Sequence, residues 1–418
     1  MKVAVIKIGS RISFGSIEKQ NSGPAFSLFG DANENAKDII KPSKDTSGGN
    51  GEAKSIINIL YKGGADVTIY TKILNNDYLP EQYKFRNILN LYNSRELSNN
   101  LNSENFDALI VVNGNYNCFG GAEDSILLDL ANYNAINAFN GRVFYCLCDP
   151  ALTLTDVWKN VKSKPWASNH NESDLRITRD DIIYICQAYD TEVIKNKLVS
   201  QKTDNKINIC KFLHYPFEKF PALEDNNYMP DNFNPEYDLL YGGTMRSGRR
   251  NKKMVKFYYG YSDDINVEMF GKLKEDELNN IRDKYFAGNR SPKFGQPVNY
   301  LEFCKKMNSS LAHIVIGDKL YEESNDVPQR TYESICAKVI TFIDADIDTA
   351  KRVYGSNDFL KDFMYVKDHN DVEKKINMIK NDNNLRQQII DQQLKCIFPN
   401  SNAKEYCENF VNLIKNNI

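Results

Sequence analysis

The chain has 418 residues, of which 41% are hydrophobic and 26% are charged, and its formal net charge is −2. This composition is typical of a folded globular protein rather than a disordered one, and the length predicts two domains. Because the net charge is close to zero, any polyanionic partner would have to be held by local basic patches.

The N-terminal segment and the cysteines indicate the cellular compartment. The segment that follows Met1 is too short and too interrupted by lysine for a signal peptide, and no apolar run approaches the roughly 18 residues of a membrane span. Nine cysteines occur without a Cys-x-x-Cys pair, which predicts reduced, mostly buried thiols. The four histidines are too scattered for a metal-binding pattern. We therefore expect a cytoplasmic protein without a His or Cys metal site.

Apolar runs of strand length alternate with helical patterns along the chain, which is typical of parallel sheets covered on both faces. The pattern predicts an α/β fold with two doubly wound, Rossmann-like domains that face each other across a cleft. Because such domains bind ligands beyond the C-terminal ends of their strands, the site is expected in the cleft between them. The domains are predicted at residues 1–220 and 236–400, with a helix at residues 401–418 that returns to the first domain. The strands are predicted at residues 3–8, 66–70, 108–112, 143–148, 182–186 and 207–212, and then at 239–241, 267–270, 314–316, 339–343 and 364–366.

Two segments interrupt this alternation. Residues 11–51 are dense in Ser, Gly, Asn, Asp and Lys and lack sustained periodicity, so they predict a long loop or a partly mobile insertion. Residues 216–235 are rich in Pro, Asn, Asp and Glu, a composition suited to an exposed connection between domains. Beyond the last strand, helices are predicted at residues 371–379, 385–396 and 403–414.

Residues 237–250 predict an anion site. A short apolar strand runs into the pair Gly242-Gly243, and arginines then open a helix. A glycine turn lets backbone N–H groups approach a ligand closely, and a helix N-terminus favours phosphate. On a helical turn Arg246 and Arg250 would share one face and could clamp a diphosphate. The alternative is an ordinary solvated basic helix face.

Three charged residues elsewhere in the sequence are also candidates for a functional site. Asp149 ends a predicted strand, where it could act as a general base or simply cap a turn with Pro150. Arg330 and Glu333 lie three residues apart at the start of a predicted helix. They could contact a phosphate and the hydroxyls of a ribose, or form a surface ion pair.

Four separated motifs, in the same order, resemble the T-even phage DNA β-glucosyltransferase family. The resemblance covers most of the chain. The motifs are Val111-Val112-Asn113 with Asn117-Cys118-Phe119-Gly120-Gly121, then residues 158–167 from Trp158 to Ala167, then Tyr241-Gly242-Gly243 with Arg246-Ser247-Gly248 and Arg250, and finally Ile316-Gly317-Asp318-Lys319 with Tyr321.

The resemblance implies a GT-B fold and the transfer of glucose from UDP-glucose to 5-hydroxymethylcytosine in duplex DNA, with inversion at the anomeric carbon. It further implies base flipping, a divalent cation (Mg²⁺ or Mn²⁺) near the diphosphate, and a monomer that acts in the cytoplasm of an infected bacterium. No Asp-x-Asp motif in a matching position identifies the ligands of this ion. Asp149 matches the catalytic aspartate, and Glu52 matches an acidic residue near the sugar, or alternatively interacts with a helix dipole.

The same resemblance assigns the remaining candidates. The UDP-sugar contacts are Gly243, Thr244, Arg246, Arg250, Phe270, Gly271, Asp318, Tyr321, Arg330 and Glu333. The DNA contacts are Asn117, Phe119, Gly120, Gly121, Lys159, Lys162 and Lys164.

Departures from the family pattern leave the acceptor open. Segment 11–51 is longer than its counterpart, and Cys118 and Met245 replace aromatic residues. The alternatives are 5-hydroxymethyluracil or another modified base, another sugar, or a small-molecule or glycan acceptor. A non-catalytic protein that binds nucleotide or modified DNA is a further alternative.

Overall fold

The structure is a computed structural model. It describes residues 1–8, 12, 14, 16–19, 38–41, 48–91, 94–113, 132–147, 177–186, 192, 195–196, 208–212, 234–245, 248–298, 300–317, 321–322, 327–328, 330–397 and 403–418.

Strands and helices alternate through most of these ranges. The strands are β1 Lys2–Ile8, β2 Ser16–Lys19, β3 Asp38–Lys41, β4 Asp66–Thr71, β5 Lys84–Asn87, β6 Ala108–Asn113, β7 Arg142–Leu147, β8 Ile183–Cys186, β9 Asn208–Lys211, β10 Tyr237–Thr244, β11 Val267–Lys272, β12 Lys293–Gly295, β13 Ser310–Val315, β14 Ile340–Asp344 and β15 Tyr365–Val366. The helices are α1 Gly48–Lys62, α2 Ser94–Ser103, α3 Arg249–Tyr258, α4 Glu275–Tyr285, α5 Tyr300–Asn308, α6 Arg330–Cys336, α7 Asp358–Phe363, α8 His369–Lys380, α9 Asn383–Ile397 and α10 Ala403–Lys415. Residues 132–138 are also helical.

The chain divides into two compact units. Unit 1 comprises Met1–Lys219 together with Ala403–Ile418, and unit 2 comprises Phe220–Asn402. Unit 1 contains a seven-stranded sheet in the order β5-β4-β1-β6-β7-β8-β9, in which every neighbouring pair is parallel. The strand order reverses direction between β1 and β6, so this unit has its topological switch point there.

Unit 2 is built in the same way from six strands in the order β12-β11-β10-β13-β14-β15, again all parallel. Its switch point lies between β10 and β13. The strands nearest this point are almost wholly buried, because helices cover both faces of a parallel sheet. The predicted α/β architecture with two doubly wound parallel sheets is therefore confirmed.

The sequence prediction for residues 11–51 was partly wrong. β2 and β3 pair as an antiparallel ribbon within this segment, and Ile12 exchanges hydrogen bonds with the Thr71 hydroxyl at the end of β4. The helix that follows begins at Gly48 rather than at Glu52. Periodicity did not reveal the ribbon because each of its strands has only four residues.

Two edge strands, β5 and β12, were also missed, and both are short and carry charged residues. Long charged side chains are a common feature of edge strands, and they weaken the apolar signal from which strands are predicted. By contrast, the three helices after the last strand lie close to their predicted positions.

The described cysteines agree with the prediction of reduced, mostly buried thiols. The described cysteines are all free, and four of them, Cys146, Cys186, Cys336 and Cys407, are buried. As far as the described ranges go, no helix combines the length and the apolar character that a membrane crossing requires.

Helix α10 packs on α1 at a glycine. A side chain at Gly63 would put its Cβ 2.4 Å from the Cys407 carbonyl oxygen and 2.6 Å from Val411 Cγ2. The two helices can therefore approach closely only because residue 63 has no side chain. Phe212, at the end of β9, packs against Tyr406 and Phe410 of the same helix.

We expect Gly63→Ala to lower the free energy of unfolding by about 1–3 kcal/mol, because the added methyl group meets backbone that cannot rotate away. Hydrogen exchange should accelerate across α10. The matched control is Gly64→Ala, where φ is +84° but nothing lies within 4 Å, so only backbone strain is added. Equal exchange rates in α10 for the two variants would contradict this account of the packing.

Candidate functional site

The C-terminal ends of β10 and β13 form the switch point of unit 2, which is where open α/β sheets bind ligands. β10 ends in Gly242, Gly243 and Thr244, and β13 leads into Ile316 and Gly317. The anion site predicted from the sequence therefore lies at the edge that the topology favours for a ligand.

The glycine pair belongs to the strand and not to a turn, which corrects the sequence interpretation. Gly242 and Gly243 pair in register with Phe270 and Gly271 of β11, and the turn follows after Thr244. At Gly271 φ is +128°, and a Cβ there would lie 1.8 Å from the Gly243 carbonyl oxygen. The backbones of β10 and β11 therefore pack directly against each other at this point, with no side chain between them.

An aromatic platform lies beneath the strand ends. A Cβ at Gly242 would collide with the rings of Phe303 and Phe270, at 2.5 and 2.7 Å, and those two rings pack 5.8 Å apart. The Arg330 guanidinium lies over the Phe303 ring, 3.9 Å from its centroid. A cation held against an aromatic face in this way loses mobility and presents its N–H groups in a fixed direction.

Arg330 and Glu333 meet at the start of α6, as their spacing predicted. Arg330 Nη1 lies 2.6 Å from Glu333 Oε2, and the glutamate is largely buried. An ion pair at this depth differs from an exposed surface pair, because both charges have lost much of their hydration. Both interpretations of the sequence, contacts with a phosphate and a ribose or an ion pair, therefore remain. The two residues form an ion pair, and this pair lies at the strand ends.

Helix α3 begins beside this platform with the features of an anion site. Gly248 precedes it with φ +75°, no side chain caps its first N–H groups, and its first turn contains no acid. Arg250 Nη2 lies 3.5 Å from the Tyr241 hydroxyl, next to the end of β10. The helix begins at Arg249, so the predicted pairing of Arg246 with Arg250 on one helical turn stays a prediction. Arg246 itself lies outside the described residues.

The other basic residues of α3 have different partners. Arg249 and Lys253 both contact the carboxylate of Glu322, at 2.9 and 2.7 Å. Lys252 lies over the Tyr285 ring, 4.2 Å from its centroid. The run of basic residues is therefore divided between a buried ion-pair network and an exposed face, and Arg250 is the member next to the strand end. Sequence reasoning missed Lys253 and its carboxylate partners.

His313 lies in the middle of β13 and is almost fully buried. Its Nδ1 donates to the Leu240 carbonyl oxygen at 2.8 Å, which leaves Nε2 as the unprotonated nitrogen of a neutral ring. Burial lowers the pKa of His313 to about 3; the Leu240 contact opposes this shift, and the charges of Arg330 and Arg250 reinforce it. Contacts show that both guanidinium groups lie near β10: Arg250 contacts the Tyr241 hydroxyl, and Arg330 lies on the Phe303 ring, which packs beneath Gly242.

Tyr321 and Gly317 lie at the end of β13. Tyr321 is buried, and its Cβ would be 3.2 Å from a Cβ added at Gly317. Thr244 is the last residue of β10, whereas Asp318 lies outside the described residues. Of the predicted donor contacts, the structure thus assembles Gly243, Thr244, Arg250, Phe270, Gly271, Tyr321, Arg330 and Glu333 within unit 2.

The described residues provide no evident site for a divalent ion. Within the described ranges, no group of three or more His, Cys, Asp or Glu side chains is arranged to hold a metal. The carboxylates of Glu322, Asp344 and Asp346 surround the ammonium of Lys253 instead. These three side chains do not fit a metal ion, because a lysine already occupies the centre of the group.

The remaining predicted positions belong to unit 1. Glu52 is the fifth residue of α1 rather than the residue that opens it. Asp149 follows β7 and lies outside the described residues. So do the predicted DNA contacts Asn117, Phe119, Gly120, Gly121, Lys159, Lys162 and Lys164.

The chain is similar to known proteins both in sequence and in structure. The family model described as Bacteriophage T4 beta-glucosyltransferase matches residues 85–221. The DNA beta-glucosyltransferase of Enterobacteria phage T4 is 27% identical over 288 residues, which are 69% of this chain and 77% of that protein. The predicted resemblance to the T-even phage DNA β-glucosyltransferase family is confirmed.

Two solved structures of the T4 phage enzyme share the fold over nearly the whole chain. The complex with UDP and Mn²⁺ matches with a TM-score of 0.65 and 23% identity, covering 99% of each chain. The complex with UDP-glucose matches with a TM-score of 0.63 and 21% identity, covering 100% of this chain and 99% of that one. The T4 β-glucosyltransferase is a GT-B protein, so the predicted GT-B fold is confirmed as well.

The neutral state of His313 predicts a pH dependence of stability. In the unfolded chain its pKa returns towards 6.5, so below that pH the unfolded state binds a proton that the folded state does not bind. The stability that His313 contributes is therefore complete above about pH 6.5 and declines as the pH falls towards 3. Between neutral pH and about pH 5 the loss is about 2 kcal/mol.

We expect His313→Gln, which keeps a donor for Leu240 but does not titrate, to lose about 2 kcal/mol less than the wild type on this acidification. Urea unfolding of both proteins at the two pH values measures the difference. Identical pH dependence in the two proteins would show that His313 is not the group responsible.

Proposed function

We propose that the protein is an inverting DNA glucosyltransferase that moves glucose from UDP-glucose to the hydroxymethyl group of 5-hydroxymethylcytosine in duplex DNA. The observation that carries this proposal is the 27% identity, across 69% of the chain, to an enzyme named for this transfer. The positions of Arg250 beside Tyr241 and of Arg330 on the Phe303 ring, both near the end of β10, support it independently, because a nucleotide sugar has a diphosphate to be bound there.

Unit 2 binds the donor in this proposal. The N–H groups at the start of α3 and the Arg250 guanidinium face the diphosphate, and Arg246 supplies a second guanidinium. Arg330 reaches a phosphate oxygen from its position on the Phe303 ring, and Glu333 accepts hydrogen bonds from the ribose hydroxyls. The closely packed backbones of Gly243 and Gly271 lie at the strand ends beside which the diphosphate is proposed to bind.

Asp149 acts as the general base in this proposal. It removes the proton from the hydroxymethyl oxygen while that oxygen forms a bond to the anomeric carbon of glucose. The bond from the anomeric carbon to the diphosphate breaks, and its electron pair leaves with UDP. Because attack and departure occur on opposite faces of the sugar, the configuration inverts. Arg246 and Arg250 stabilise the negative charge that grows on the departing diphosphate, and Glu52 contacts the sugar.

A divalent cation, Mg²⁺ or Mn²⁺, accompanies the diphosphate in the proposal, as Mn²⁺ accompanies UDP in a complex of the T4 enzyme. When bound, such an ion neutralises charge on the leaving group. The three described carboxylates nearest to α3 are engaged by Lys253, so no described side chain is assigned to the ion. The steps assigned above to the protein's own residues do not depend on it.

The acceptor side of the proposal concerns residues of unit 1 that flank β6 and β7. A base within duplex DNA has to leave the stack before its hydroxymethyl group can react, at a cost of a few kcal/mol. Asn117, Phe119, Gly120 and Gly121 are proposed to face the DNA, and Lys159, Lys162 and Lys164 to contact its phosphates. Such contacts make the affinity dependent on salt.

The proposed transfer is tested with UDP-glucose and matched duplexes that carry cytosine, 5-hydroxymethylcytosine or 5-hydroxymethyluracil. We expect one hexose per modified base on the 5-hydroxymethylcytosine duplex and none on the cytosine duplex, as measured by mass spectrometry of the digested nucleosides. Hexose on 5-hydroxymethyluracil alone would reassign the acceptor. No hexose on any duplex, with UDP-glucose consumed on another acceptor, would overturn the DNA assignment.

The role of Asp149 is tested by Asp149→Asn, which keeps the shape of the side chain but removes its basicity. We expect the transfer rate to fall by about 10²- to 10⁴-fold, the usual contribution of a general base, while the affinity for UDP is unchanged. Asp180→Asn is the matched control, because Asp180 is an exposed aspartate of the same unit. Transfer by Asp149→Asn at the wild-type rate would show that another group accepts the proton.

A further inference from the structure

Five charged side chains form a compact network beside the donor site of unit 2. The Lys253 ammonium lies 2.7 Å from Glu322 Oε1 and 3.5 Å from Asp346 Oδ2, and it also forms a short ion pair with Asp344. Arg249 Nη1 contacts the other oxygen of Glu322 at 2.9 Å. We call these five residues the Lys253 network.

The network joins three separate parts of the fold. Arg249 and Lys253 are four residues apart, so they lie on the same face of α3, and Glu322 bridges them. Glu322 follows Tyr321, which lies near the end of β13, and Asp344 is the last residue of β14. Glu322 and Asp344, which lie 69 and 91 positions beyond Lys253 in the sequence, are thereby held against the first turns of α3.

Lys253 does not itself have a group to offer a ligand. Its side chain is only 6% exposed, and its three N–H groups face three carboxylates. Burial alone lowers the pKa of the ammonium, but Asp344 and Glu322 outweigh that effect and raise the pKa above its ordinary value. Lys253 therefore remains a cation whose hydrogen-bonding capacity is used within the protein.

The start of α3 needs such an anchor. Gly248 has no side chain with which to cap the helix, and the first turn contains no acid that could stabilise its N-terminus. These features keep the N–H groups available for an anion, but they also leave the helix start without the usual local restraints. The Lys253 network restrains the start of the helix instead, at a position about one turn after Arg250.

We propose that Lys253, through Glu322 and Asp344, is a positioning residue that fixes the start of α3, and with it Arg250, at the distance from the strand ends that a nucleoside diphosphate requires. This inference rests on the proposed function, because it concerns the same donor site. In this inference Lys253 increases the affinity for the diphosphate and does not affect the recognition of the nucleoside.

The test compares UDP with uridine as ligands of the full-length protein. Lys253→Met keeps the length of the side chain and removes its charge, and its matched control is Lys252→Met, which changes the neighbouring exposed lysine. We expect Lys253→Met to bind UDP at least about tenfold more weakly, since the loss of one charge-assisted hydrogen bond weakens binding by about ten- to a hundredfold. Uridine should bind with unchanged affinity, and Lys252→Met should bind both ligands as the wild type does.

A second variant separates positioning from folding. Lys253→Met leaves the Asp344 carboxylate buried without its cation, and Lys253→Met/Asp344→Asn removes that charge as well. We expect the double variant to recover thermal stability but not UDP affinity. An equal loss of UDP and uridine affinity, or recovery of UDP affinity together with stability, would reduce Lys253 to a structural role and overturn the inference. Wild-type affinity for UDP in Lys253→Met would overturn it too, whereas a wild-type protein that binds no UDP would overturn the proposed function itself.

Discussion

The strand ends of unit 2 depend on a close contact between two backbones. The Gly243 carbonyl oxygen and the α-carbon of Gly271 approach so closely that no side chain fits between β10 and β11 at their ends. At the neighbouring position Gly242 lets the rings of Phe270 and Phe303 pack beneath the strands. The platform under Arg330 and the direct contact between the two strands therefore have the same origin, which is the absence of side chains at three glycines.

Electrostatics then divides the basic residues by function. Arg250 contacts the Tyr241 hydroxyl beside the end of β10, and Arg330 lies on the Phe303 ring and pairs with Glu333. Arg249 and Lys253 pair with the carboxylates of the Lys253 network, and Lys252 covers an exposed ring. Among the described basic residues of this segment, Arg250 is therefore the one that lies beside the strand end, and the segment does not form a diffuse positive surface.

Much of the fold could be predicted from the sequence, because strands buried on both faces appear as continuous apolar runs, as in Ala108–Asn113. Arg330 and Glu333 could be predicted because a helical spacing brings them together. The glycine pair could be recognised as important but was assigned to a turn, since its partner Gly271 comes from another strand. Lys253, Glu322 and Asp344 could not be found, because only the folded sheet brings such distant positions together.

The packing of α10 at Gly63 has a consequence for the order of events during synthesis. Unit 2 is one continuous stretch of chain, whereas unit 1 combines residues from both sides of it. The residues that cover α1 therefore emerge from the ribosome only after the whole of unit 2 has been made. Domains generally fold as units during synthesis. Although synthesis of unit 1 begins first, its folding is completed last, and until then the surface around Gly63 is exposed in the nascent chain.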